Sequence, residues 1–90
     1  MGNLKAHRVY PLPEGEAVDV LDGFAPGVYR VMLRPQNLVY LGGPDVDAGM
    51  NGFQILTDLE LVTEPGQCYV IRPQGSGGAG ITVLGIPVQS

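Results

Sequence analysis

The amino-acid sequence predicts an all-β fold, a small antiparallel β-sandwich or jelly-roll-like barrel of about seven short strands. Three observations carry that expectation. Fourteen glycines and eight prolines in 90 residues interrupt the chain at short intervals, which favours many short strands joined by turns. The runs between them are rich in Val, Ile, Leu and Tyr, residues that suit a pleated, half-buried surface. Several runs alternate apolar and polar residues, and none sustains helical spacing.

The elements follow in order. Lys5–Tyr10 reads as an edge strand closed by Pro11 and Pro13. Ala17–Leu21 sets Val18 and Val20 against Asp19, and Asp22-Gly23 makes a turn. Gly27–Arg34 places Tyr29, Val31 and Leu33 on the face expected to be buried, opposite Val28, Arg30, Met32 and Arg34. Asn37–Leu41 is a short apolar strand, and Gly42–Gly52 a glycine-rich loop. Phe53–Val62 reads as one long strand, with Ile55, Thr57, Leu59 and Leu61 opposite Leu56, Asp58, Glu60 and Val62. Pro65-Gly66 turns into Gln67–Arg72, Gln74–Gly80 is a glycine-rich tip, and Ile81–Val88 closes the domain. Pro26-Gly27 to Arg34-Pro35-Gln36 is echoed by Pro65-Gly66 to Arg72-Pro73-Gln74, as two hairpins in similar places of two sheets would be, or as turn-strand-turn units resemble one another by chance. The expected organisation is an N-terminal arm, residues 1–13, followed by a single β-domain, residues 14–90.

A domain this small buries only about 60–65% of the surface of its unfolded chain, enough for one thin core and no deep two-layered cleft. The net charge is −4, and the five basic residues, Lys5, Arg8, Arg30, Arg34 and Arg72, are scattered. Phosphate binding needs a clustered basic face, so nucleic acid is not an expected partner. No apolar run approaches the roughly 18 residues of a membrane span. Met1-Gly2-Asn3-Leu4-Lys5 leads into no apolar signal segment, which predicts manufacture in a cytoplasm.

Catalytic groups are sparse. Cys68 is a lone cysteine within an apolar run and reads as a small buried hydrophobe; a nucleophile would need a histidine, and the chain has only His7. Asp45, Asp47 and Asn51 share the loop 42–52 and offer oxygen ligands of the kind Ca²⁺ takes. Gly49, Met50 and Leu56 break the EF-hand pattern, so turn capping is the expected role. The tip Gly75-Ser76-Gly77-Gly78-Ala79-Gly80 lacks the lysine and helix of a phosphate loop. Asp58 and Glu60, about 7 Å apart on one strand face, read as solvated charges. No catalytic residue, cofactor or metal is therefore assigned, and the chain is not expected to be an enzyme. Among the aromatics, Tyr40 and Phe53 are expected to anchor the two ends of the long loop, with the Tyr40 hydroxyl reaching a backbone group.

The segment Leu38-Val39-Tyr40-Leu41-Gly42-Gly43-Pro44-Asp45-Val46, followed by Asn51-Gly52-Phe53, Pro65-Gly66 and Tyr69-Val70-Ile71, resembles small β-domain structural proteins of actinobacterial tailed phages. The match spans roughly residues 37–84 and departs from the pattern at Glu64 and Gln67-Cys68. It implies a virion structural protein and no catalytic residues. The expected role is capsid decoration as a minor capsid protein. Its partner would be the major capsid protein of the same phage, its location the capsid surface, and its state a homo-oligomer, with a trimer favoured. The partner-contact candidates are Lys5, Arg8 and Tyr10 of the arm, Asp45, Asp47, Met50 and Asn51 of the long loop, and Ser76 of the tip. A host-surface or glycan-binding fibre module is the alternative, weakened by the absence of tryptophan; a head–tail joining protein is a third, weakened by the lack of a helix.

Overall fold

The computed structural model describes residues 5–9, 12–13, 15–47, 51–72 and 80–88. They form eight strands and no helix: β1 (Lys5–Val9), β2 (Val18–Asp19), β3 (Tyr29–Pro35), β4 (Val39–Gly42), β5 (Phe53–Ile55), β6 (Leu59–Thr63), β7 (Tyr69–Ile71) and β8 (Ile81–Pro87). Two four-stranded antiparallel sheets result, ordered β1-β8-β3-β6 and β2-β7-β4-β5. Apart from the β4–β5 hairpin, every connection crosses from one sheet to the other. That order is the eight-stranded double Greek key of a jelly roll. The two echoed segments become β3 and β7, each an inner strand of its sheet and neither part of a hairpin, since both chain neighbours of each lie in the opposite sheet.

Alternation builds the core. In β3, Tyr29, Val31, Leu33 and Pro35 are buried while Arg30, Met32 and Arg34 face solvent. Val31 and Leu33 meet Ile81 and Val83 of β8, Val39 of β4 and Val70 of β7 in one cluster. These fully buried aliphatic side chains contribute about 1.5–3 kcal/mol each in transfer free energy, which is why the register is pinned.

Two expectations are corrected. Phe53–Val62 is not one strand: it breaks at Leu56-Thr57-Asp58, all exposed, and its halves join different sheets. A strand serving both sheets must leave one and enter the other, and this short link is the crossing, which raises the count to eight. Residues 1–13 are not a separate arm throughout. Lys5–Val9 pairs with β8 along its length, and Leu12 is fully buried in the core.

The connections seal one side of the sandwich. Leu12, between β1 and β2, and Leu21 and Phe24, between β2 and β3, are buried. The Phe24 ring lies on Gly85 of β8, where an added Cβ would stand 2.6 Å from Phe24 Cε2. Its edge meets Tyr29 with ring centroids 5.2 Å apart and planes at 86°. The Tyr29 hydroxyl donates to the Ala25 carbonyl at 2.8 Å. Asp19 joins two turns: Oδ1 accepts from Leu21 N at 3.0 Å and Oδ2 from Gly66 N at 2.8 Å.

Candidate interaction surface

The long loop is held by its own apolar plug. Val46 is buried between Gly42 and Gly52, where added Cβ atoms would lie 2.8 and 3.1 Å from its Cγ2. No side chain fits at either glycine, so the two ends of the loop close on Val46. Val46 N donates to Gly43 O at 3.0 Å, and Asp47 Oδ1 accepts from Asn51 N at 3.1 Å. Asp47 thus caps the loop, the role turn chemistry gives Asp. Asp45, Asp47 and Asn51 are exposed together on this one loop.

Phe53 does not anchor the loop; it is 77% exposed. The Tyr40 hydroxyl accepts from Gln54 Nε2 at 3.1 Å, a side-chain partner in place of the expected backbone one. Lys5 and Arg8 are placed by register, opposite Gly85 and Thr82 in the other sheet. The fold therefore does not gather the arm candidates with the loop candidates. Tyr10, Met50 and Ser76 lie outside the described residues.

The surface that composition missed is the outer face of the β1-β8-β3-β6 sheet. Register brings Met32 beside Leu84 and Glu60, and Arg30 between Ile86 and Val62. Val88 N donates to Val28 O at 2.8 Å, which extends the row. Val28, Met32, Val62, Ile86 and Val88 are all exposed, at 36–58%. Two ion pairs lie on the same face, Arg30–Glu60 among the apolar side chains and Arg34–Asp58 beside them. Arg34 Nε and Nη2 both donate to Asp58 Oδ2 at 3.2 Å, and Arg30 Nε lies 3.5 Å from Glu60 Oε2. Each exposed pair adds about 0–1 kcal/mol; its larger effect is to neutralise the face. A shallow depression of about 450 Å³ opens there, lined by Met32, Arg34, Asp58, Glu60, Thr82 and Leu84 among others. The sequence signal was in Ile81–Val88: Leu84, Ile86 and Val88 are apolar on the face opposite Ile81 and Val83.

Little reactive chemistry accompanies this surface. Cys68 is buried, and desolvation, with a smaller contribution from the Asp19 charge, pushes its thiol from 9.0 up to about 11. The thiolate needed for nucleophilic attack is thus suppressed near neutrality. Among the described residues, no three His, Cys, Asp or Glu side chains converge on a point that would hold a metal.

Fold and surface define a class: a small jelly-roll domain with an exposed apolar sheet face. No protein-family profile matches the chain, and no curated protein matches it by sequence. Among solved structures it is similar to a chain from Bacillus endospore appendages, described as a family of disulfide-linked pili. The TM-score is 0.54 at 8% identity, covering 99% of this chain and 89% of that one. At that identity the likeness is one of fold.

Proposed function

We propose that this protein is a structural subunit that works by docking the outer face of its β1-β8-β3-β6 sheet onto a larger assembly, and that the assembly is the mature capsid of a tailed phage. The observation that carries the docking reading is the set of exposed apolar side chains Val28, Met32, Val62, Ile86 and Val88 on one sheet face, interrupted by Arg30 and Glu60, which neutralise each other; exposed apolar patches mark interaction sites. The capsid is supported by the resemblance over residues 37–84. Decoration needs no chemistry: binding only the expanded lattice stabilises that lattice by mass action.

A second reading, a pilus or fibre subunit, is favoured by the structural likeness to the endospore appendage chain. The disulfide linkage described for those pili does not carry over, because the single cysteine here is buried.

Co-sedimentation with expanded, undecorated capsids, against procapsids and host cells, separates the readings. Decoration predicts saturable binding to expanded capsids alone, weakened at least tenfold by Met32→Glu with Ile86→Glu. Binding to cells alone, or filaments grown from the pure protein, moves the assignment to the fibre class.

A further inference from the structure

We infer that β6 is a self-association edge, pairing antiparallel with β6 of a second copy about a two-fold axis through Leu61. The four outer strands are not equally protected. β2 has two residues and β5 three, and β1 carries Lys5 and Arg8, with charge and brevity both blunting an edge. β6, Leu59-Glu60-Leu61-Val62-Thr63, carries one charge and no proline. Among the described residues its backbone pairs only with β3, so its alternate N–H and C=O groups on the far side face outward.

Burial singles out the same side. Leu12, Leu21 and Phe24 plug the β1/β2 side. On the β5/β6 side the inward-facing Ile55, Leu59 and Leu61 touch the core yet are only half-buried. Phe53 and Leu56 fringe them at 77% and 63% exposure. A strand laid along β6 would cover this seam and satisfy the open backbone groups.

Charge and register select a second copy of this chain as the occupant. Like charges directly opposite one another destabilise a strand pair. Centring the two-fold on Glu60 sets Glu60 against its own copy, and centring it on Val62 sets Glu60 against Glu64. Centred on Leu61, Leu59 faces Thr63, Glu60 faces Val62 and Leu61 faces itself: this register alone pairs all five residues of β6 with one another, and its carboxylate pair, Asp58 against Glu64, falls beyond both strand ends. The Arg30–Glu60 and Arg34–Asp58 pairs keep the adjacent face neutral in a chain of net charge −4. With Asp58 and Glu60 each held by an arginine, the repulsion between two acidic copies at this edge is reduced. An isologous strand pair is a two-fold contact, so this edge makes a dimer, not the trimer expected from the resemblance.

The inference concerns the free protein and stands apart from capsid binding. Sedimentation equilibrium of the intact chain at tens of micromolar should give twice the 9.5 kDa protomer mass. Directly opposed residues have Cα atoms about 4.5–5.5 Å apart, within disulfide range. Under mild oxidation Leu61→Cys should cross-link to itself in most molecules. Glu60→Cys alone should not, but mixed with Val62→Cys it should. The wild-type chain, whose cysteine is buried, should stay uncross-linked. A monomer, a trimer, or a dimer in which Leu61→Cys fails to cross-link would overturn the proposal. Capsid binding by a strictly monomeric protein would sink the edge pairing and leave the docking reading intact.

Discussion

Replacing Gly85 by alanine should destabilise the domain although Gly85 lies in a strand, where alanine is ordinarily the better residue. The added Cβ would stand 2.6 Å from Phe24 Cε2, 3.2 Å from Cζ and 3.5 Å from Cδ2. Carbon atoms rest at about 3.5–4.0 Å, so the ring or the strand must move. The ring has little room to do so: Phe24 is 7% exposed, its edge is packed on Tyr29, and Tyr29 is tied to Ala25. Overpacking of this kind costs about 1–3 kcal/mol. Alanine returns about 0.5–1 kcal/mol of backbone entropy, which leaves a net loss of about 1–2 kcal/mol. For a domain this size that lowers Tm by roughly 5–15 °C. Thermal and urea unfolding followed by circular dichroism would measure it. Adding Phe24→Leu should recover part of the Gly85→Ala loss, giving a non-additive cycle. A Gly85→Ala protein as stable as the wild type, or more stable, would refute the packing argument.

Other perturbations test the turns, the thiol and the loop. Asp19→Ala leaves Leu21 N and Gly66 N without their acceptor and should cost about 1–3 kcal/mol in urea titrations; Asp19→Asn, which keeps one acceptor, should cost less. Cys68 should label slowly with a thiol reagent at pH 8 and rapidly in urea. Its thiol ionises near 9.0 when unfolded and near 11 when folded, so above pH 9 the unfolded chain releases the proton first. Stability should therefore fall across that window, and Cys68→Ala should flatten the fall. Val46→Ala removes the loop plug, with an expected loss of about 1–3 kcal/mol and faster hydrogen exchange at the Asn51 amide. Phe53→Ser, by contrast, should change the stability of the protomer by no more than about 0.5 kcal/mol, an outcome incompatible with an anchoring role for that ring.

Strand identity was legible wherever one face met the core and the other met water. β3 reads directly from Tyr29, Val31 and Leu33 against Arg30, Met32 and Arg34. The break at Leu56–Asp58 was not legible, because the alternation of Phe53–Val62 runs unbroken through it. The period that signals one strand also fits two strands whose inner faces serve the same core. Loop anchoring went to the aromatics because they are large. The space between Gly42 and Gly52 admits only a small branched side chain, and Val46 fills it. The outer face was hidden for a different reason. Its apolar positions come from β3, β6 and β8, which are distant in sequence and become neighbours only through the crossing connections of the jelly roll.

The two unsatisfied parts of the molecule are geometrically compatible. Pairing β6 with β6 about an axis perpendicular to the sheet keeps the outer faces of both copies on the same side. The order becomes β1-β8-β3-β6 followed by its mirror sequence, an eight-stranded sheet with two apolar rows side by side. Edge pairing consumes the seam at Leu59 and Leu61 and leaves Met32 and Ile86 free. A dimer would then meet a lattice with two linked faces, and the second contact would form at an effective concentration set by the shared sheet. Weak docking by one face would become tight docking by two, provided the lattice repeats at the spacing of the pair. Burial points the same way: among the described residues the seam beside β6 and the outer face of its sheet hold the exposed large apolar side chains. The surface the fold leaves apolar is the surface an assembly can bury.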